Sequence, residues 1–497
     1  MTSKTFSVHT FGLNCVLVEV QADISNGLPA FNIVGLADTS VQESRQRVRT
    51  SIKNSDLTFP QTRKTINLAP AELRKKGTHF DLPIAISLLL ASKQVHPDLL
   101  KDSLIIGELG LSGWVNRVNS VLLITKFAQR KGFKKIYLPA ENATEASYIK
   151  GIKIYPVETL KQLVNHLNGY KEIQTAKNIN PISPEEQQQN KQLFSNIVGQ
   201  ERAKQALIIS AAGGHNIILT GSPGCGKTVL CRAYKELQTS LSLKEIFETT
   251  AIYSSIGKTS QQKPLIQRKP FREVHHTATT TALIGGSNPP KPGEITLAHN
   301  GALFLDEIAE FSKQTLEALR QPIEDGYINI NKASYAIRYP SSFTLLATMN
   351  PCPCGYYKDE KIKCICSSSQ RKSYQKRISG PLLDRFDLIL RVPRQKILGQ
   401  TNDKLSTSKI YDQIQNAKSR QHSRGISNSK LTLKKIQQCC SITEKANMLL
   451  KAASEKHNLS SRATLKIIKV AQTLSDLKNS TKITQKHISI ALQFRSC

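Results

Sequence analysis

The residues best suited to chemistry form one short run, Gly221-Ser222-Pro223-Gly224-Cys225-Gly226-Lys227-Thr228, which fits G-x-x-x-x-G-K-[ST] at every fixed position. Glycines at this spacing let the backbone wrap a phosphate chain, so that amide N–H groups and the start of the next helix face negative charge. The lysine then reaches the β- and γ-phosphates and the threonine hydroxyl ligates Mg²⁺. The expected ligand is therefore ATP with Mg²⁺. Further along, the apolar run Ala302-Leu303-Phe304-Leu305 ends in Asp306 and Glu307. An apolar strand capped by two acids is commonplace alone. Downstream of a phosphate loop it places Asp306 at the metal and Glu307 where it polarises an attacking water. A third apolar run, Phe343 to Ala347, leads to Asn350 before Pro351. Asn350 either orients the same water from a neighbouring strand end or simply forms the turn.

Four of the ten cysteines lie close together: Cys352 and Cys354, then Cys364 and Cys366. Two C-x-C pairs in one loop favour a tetrahedral Zn²⁺ site, although the spacing within each pair is tighter than usual; unliganded thiols are the other reading. Lys358, Lys361 and Lys363 flank the pairs and suggest that the loop also meets DNA. The remaining cysteines do not form the framework of a small secreted domain.

These residues need a scaffold. The chain has 497 residues, enough for about three domains. The runs Asn216 to Thr220, Ala302 to Leu305 and Phe343 to Ala347 are apolar without alternation, as in a parallel sheet covered on both faces. Before them, Val16 to Val20, Lys64 to Leu68 and Lys135 to Leu138 read as strands and Asp81 to Ser92 as an apolar helix. The expected class is α/β. Its expected parts are a first domain over 1–170, a Pro/Gln-rich linker over 171–193, a nucleotide domain over 194–395 and a helical region over 396–497. No stretch is apolar for the ~18 residues of a membrane helix. No secretory leader is evident either, so a cytoplasmic protein without membrane attachment is expected.

Lys and Arg number 69 against 37 acidic residues, a net charge of +32. Such excess suggests a polyanionic partner, nucleic acid first, or merely a lysine-rich proteome. Residues 401–497 hold 18 of the basic and 5 of the acidic residues.

The order of these motifs, followed by Gly380-Pro381-Leu382-Leu383-Asp384-Arg385-Phe386-Asp387, resembles an AAA+ ATPase of the magnesium-chelatase type. The segments Pro270 to Thr277, Leu283 to Gly286, Pro292 to Gly301, Asn32 to Leu36, Asn67 to Pro70 and Phe80 to Pro83 narrow the resemblance to the YifB/ComM family. That resemblance covers nearly the whole chain. It implies a hexameric ATP-driven helicase acting on single-stranded or branched DNA in natural transformation, with recombination proteins as further partners. It implies Arg385 as an arginine finger entering the neighbouring subunit and Arg462 as a second sensor on a helical lid. Ser222, Ser287, Ala309 and Gln472 depart from the residues usual in the family (Pro, Gly, Pro and Arg respectively).

Alternating runs from Tyr327 to Tyr339 read as a β-hairpin around Lys332 to Ser334. The family resemblance makes it a pore hairpin, with Lys332 touching phosphates without reading bases. Arg272, beside His275 and His276, falls in an insert of this clade and is the second DNA candidate. Residues 1–170 resemble a Lon-protease-like domain. Aligned on the Lon serine–lysine dyad, His79 and Leu122 replace the two catalytic residues, so no peptidase activity is expected. The alternative to a DNA motor is a chelatase-type ATPase that remodels a protein complex.

Overall fold

Side-chain alternation builds the first sheet. Along Asn14–Ser25, Val18, Val20 and Ala22 are buried while the residues between them are not; along Arg63–Ala69 the same holds for Lys64, Ile66 and Leu68. The computed structural model of the chain describes residues 2–180, 193–287, 290–332, 335–394 and 407–495. It divides into two units: Met1–Ser183 with Leu243–Ile266, and Pro184–Ser242 with Gln267–Cys497. Part of the linker expected at 171–193, residues 181–192, lies outside the described residues.

In the first unit, β1 (Thr2–Phe11), β2 (Asn14–Ser25), β3 (Ala30–Val34) and β4 (Arg63–Ala69) form a sheet in the order β1-β2-β4-β3. The helix Asp81–Ala91 is buried along almost its whole length and packs on β1 and β2. The strands β5 (Ser103–Ile105), β8 (Lys135–Pro139) and β9 (Lys153–Val157) form a parallel trio, and β6 (Glu108–Leu109) pairs with β7 (Val115–Asn116). The helix Leu243–Ser255 belongs to this unit and packs on the helix Val121–Arg130. A buried carboxylate fastens it there: Glu145 accepts from Ser254 Oγ at 2.6 Å and Leu122 N at 3.2 Å, with Arg117 Nη2 at 3.6 Å.

The second unit holds a five-stranded parallel sheet. Its strands are β10 (Ile217–Thr220), β11 (Phe271–Val274), β12 (Ala302–Leu305), β15 (Thr344–Met349) and β16 (Leu388–Arg391), in the order β11-β12-β15-β10-β16. Every residue of β12 is buried, the pattern of a strand covered on both faces. The hairpin β13 (Tyr327–Lys332) and β14 (Tyr335–Pro340) stands apart as its own two-stranded sheet.

The described residues from 407 to 495 are helical: Thr407–Ser423, Leu433–Cys439, Glu444–Lys456, Ser461–Leu477 and Gln485–Gln493. Ile467, Val470, Ala471 and Leu474 recur on one face of Ser461–Leu477, are buried, and share one core with β10 and the helices Glu201–Gly213 and Lys227–Leu237. Residues 395–406 lie outside the described residues. Among the described residues, no helix is long and apolar enough to cross a membrane.

Candidate nucleotide site

Strand order decides what meets the phosphate loop. β15 lies between β12 and β10, in a register that pairs Leu305 with Ala347 and Met349 with Thr220. The residues following β10, β12 and β15 therefore emerge side by side at the carboxyl edge of the sheet. This is the crevice where open parallel sheets bind ligands.

The loop after β10 turns through Gly224 and Gly226, at φ 75° and 90°, a region that only glycine enters readily. The helix Lys227–Leu237 follows at once, so its free N–H groups point into the loop. Lys227 is buried, and its Nζ donates to Gly221 O at 2.7 Å, Ser222 O at 3.0 Å and Asn350 Oδ1 at 3.2 Å. Burial lowers its pKa, with Cys225, Asp306 and Glu307 pulling the other way. Thr228 Oγ1 donates to Asp306 at 3.1 Å. A hydroxyl joined to a carboxylate at a helix start is a donor set suited to Mg²⁺: Thr228 and Asp306 would hold the ion, which would offset phosphate charge.

Thr348 was not singled out from sequence, yet it organises this edge. Its hydroxyl donates to Asp306 and accepts from the Glu307 N–H at 3.0 Å. The signal was a polar residue near the end of an otherwise apolar strand. Glu307 takes φ 51°, a left-handed conformation that costs a non-glycine residue roughly 1–2 kcal/mol. The bond to Thr348 holds it, and its carboxylate stays half exposed, 4.0 Å from His276 Nδ1. His275 and His276 stack with ring centres 4.1 Å apart.

Arg385 lies with its carbonyl oxygen beside Asn216, just before the amino end of β10, opposite the carboxyl edge where Lys227 meets Asn350. Its guanidinium pairs with Glu324 and donates to Pro381 O at 3.1 Å. Its backbone is fixed to the sheet by Asn216 Nδ2, at 2.9 Å from Arg385 O. Lys466, on the helix Ser461–Leu477, donates to Asp384 O and Phe386 O on either side; burial lowers its pKa to about 8. Arg462 is exposed in the first turn of that helix, which Ser460 caps by accepting from Ala463 N at 3.2 Å. Gln472 is buried in the same helix and donates to Asp476 at 3.1 Å.

The four cysteine sulfurs lie within 4.8 Å of one another. Cys352 Sγ is 3.4 Å from Cys354 Sγ and 3.7 Å from Cys364 Sγ, while Cys366 Sγ accepts from Cys354 N at 3.4 Å. Tetrahedral Zn–S bonds of about 2.3 Å separate sulfurs by about 3.8 Å, so the thiols fit a zinc ion. Burial pushes Cys352 up to about 12, whereas the Tyr356 N–H first among several donors holds Cys354 down to about 6.

The two DNA candidates fall differently. Lys332 ends β13 opposite Tyr335, but its side chain, with residues 333–334, lies outside the described residues. Arg272 forms a bidentate pair with Glu294, at 2.6 and 2.8 Å, which neutralises its charge locally. In the first unit, His79 is partly buried with Nε2 2.9 Å from Val8 O, Thr78 donates to Glu108, and Leu122 lies in the core.

Comparison with known proteins agrees with this geometry. Residues 193–399 match the family model "Magnesium chelatase, subunit ChlI", residues 20–142 "Subunit ChlI of Mg-chelatase", and residues 404–495 "Magnesium chelatase, subunit ChlI C-terminal". The chain is 39% identical to "Uncharacterized protein YifB" of Escherichia coli, over 98% of its own length and 96% of the relative's. It is equally 39% identical to "Competence protein ComM" of Haemophilus influenzae, over 99% and 97%. A weaker match, 30% identical over 29% of this chain and 27% of the other, is to "Lon protease 2" of Bacillus subtilis and accords with a Lon-like first domain. With a P-loop parallel sheet, a helical C-terminal region and similarity along its full length, the chain belongs to the YifB/ComM family of magnesium-chelatase-like AAA+ proteins.

Proposed function

We propose that this chain hydrolyses ATP at the carboxyl edge of its parallel sheet and, as a hexameric ring, uses that energy to move DNA. The observation that carries the reading is the meeting of Lys227, Thr228, Asp306, Glu307 and Asn350 at the ends of three adjacent strands. The task we assign is branch migration during uptake and recombination of DNA; the relative named "Competence protein ComM" supports a role in competence.

In this mechanism the loop N–H groups and Lys227 bind the β- and γ-phosphates. Thr228 and Asp306 hold Mg²⁺, which offsets phosphate charge. Glu307 polarises the attacking water and Asn350 orients it. Arg385 serves the neighbouring subunit: in the ring it exchanges Glu324 for the transition-state phosphate. Arg462 senses nucleotide from the lid, Lys332 contacts the strand in the pore, and the four thiols hold a structural Zn²⁺. Arg272, paired with Glu294, has the weaker claim of the two DNA candidates.

The test is Lys227→Ala. ATPase activity and displacement of a strand from branched DNA should fall roughly 100-fold or more, while binding to DNA persists. A wild-type ATPase that no DNA structure alters would sink the motor reading. The description of all three family models as magnesium chelatase subunits favours a second reading, the remodelling of a protein complex. Stimulation by a protein partner without any by DNA would select it.

A further inference from the structure

The cysteine loop continues directly from Asn350 through Pro351, and its first turns lie against the phosphate loop. Gly355 sits at φ 84°, so close that an added Cβ would meet Pro223 Cδ at 2.6 Å and Cγ at 2.7 Å. Asp359 Oδ1 accepts from the Lys361 N–H at 2.9 Å and the Ile362 N–H at 3.1 Å, and the Ser222 hydroxyl first, then the Lys361 N–H, hold its carboxyl down to about 2. Arg394 ties the two together, with Nη2 3.2 Å from Pro223 O and Nε 4.0 Å from Asp359 Oδ2.

Little apolar packing holds this loop. Ile362 and Ile365 are exposed, as are Lys358, Lys361 and Lys363. What joins its beginning to its end is the cluster of Cys352 and Cys354 with Cys364 and Cys366. Cross-linking two ends of a chain segment removes much of the entropy that would otherwise loosen it.

We infer that a Zn²⁺ ion held by the four thiolates braces the phosphate loop through Gly355 and Asp359, so that metal loading sets the affinity of the site for nucleoside triphosphate. The inference rests on the ATP and zinc readings above and adds a thermodynamic coupling between the two sites. Coupling is reciprocal: nucleotide should also slow the loss of zinc.

The experiment uses the full chain, purified without chelator, with zinc measured by elemental analysis and a non-hydrolysable ATP analogue titrated by calorimetry. About one zinc per chain is expected. Stripping the metal should weaken analogue binding by roughly 5- to 100-fold, and added Zn²⁺ should restore it. Asp359→Ala touches no thiol: it should keep its zinc yet bind the analogue roughly 3- to 10-fold more weakly. Circular dichroism follows folding throughout; should the stripped protein unfold, Asp359→Ala alone decides.

A zinc content near zero in the wild type overturns the inference. So does stripped, folded protein, or zinc-loaded Asp359→Ala, that binds the analogue as tightly as the wild type; in either case the nucleotide site itself stands. Zinc-loaded wild type that does not bind the analogue at all defeats the ATP reading, and the inference falls with it.

Discussion

Two regions of the molecule gather charged and polar side chains at the ends of their elements, with opposite results. In the first unit these groups are consumed by one another. Asp81 is fully buried and accepts from Arg47 Nε at 2.6 Å, from Ser44 Oγ and from Leu109 N at 3.2 Å. Glu145 is spent in the same way on Ser254 and Leu122. At the nucleotide edge, Asp306 and Asn350 are only partly buried and Glu307 reaches solvent, each held from one side and open on the other. A buried charge must be matched internally or it costs several kcal/mol. A group held on one side alone keeps acceptors for a ligand. The contrast separates residues that maintain the fold from residues that can act.

The largest effect should come from Glu307→Gln. Hydrolysis should fall roughly 1,000-fold with little change in ATP affinity, seen by comparing single-turnover rates with calorimetric binding. Equal losses in both would make Glu307 a binding residue and blur the contrast. Arg385→Ala comes next: turnover should drop by roughly 100-fold or more. Mixing it with Glu307→Gln subunits should recover activity at the shared interfaces, because under the proposed mechanism one partner would supply the finger and the other the water-polarising acid. No recovery at any ratio would argue against a finger supplied between subunits.

The first unit offers the converse test, through pH. Burial, with the Lys75 charge second, lowers His9 to about 4; burial, with His9 second, lowers His79 to about 4. Both rings are neutral in the fold but take a proton near 6.5 once unfolded. The unfolded state then binds more protons across that window, so stability is full above pH 6.5 and declines as pH falls toward 4. Each unit of difference is worth about 1.4 kcal/mol, so the two rings together set an upper bound of about 7 kcal/mol. Trp114, the single tryptophan, lies in this unit and reports its unfolding in denaturant titrations from pH 8 to 4. A flat profile would mean that the two rings are hydrated in the fold. The smallest effect is expected from Lys332→Ala: a few-fold weaker DNA binding and a salt dependence reduced by about one contact, measured by anisotropy at several salt concentrations.

Much of this was legible in the residues. The hairpin spanning Tyr327 to Pro340 and the strands β2, β4, β8, β10, β12 and β15 follow from period-two or continuous apolar patterns. The phosphate loop is a contiguous segment, so its spacing alone specifies its backbone. Leu243–Ser255 shows why other features were not legible. Its pattern specifies a helix, but nothing within it says which core receives it, and a single carboxylate 109 residues earlier in the chain, Glu145, bonds its Ser254.

The amino-acid order by itself determined the chemistry on offer: a phosphate cradle with its lysine and threonine, an acidic pair after an apolar run, and four thiols in two pairs. These depend on short-range spacing, which fixes local backbone geometry whatever surrounds it. Only the tertiary structure decided which groups meet. It set Thr348 between Asp306 and Glu307, closed Arg272 onto Glu294 and Arg385 onto Glu324, and laid the cysteine loop against Pro223. Each of those pairings depends on strand order and the course of loops, which arise from the packing of the whole core and leave no local signature.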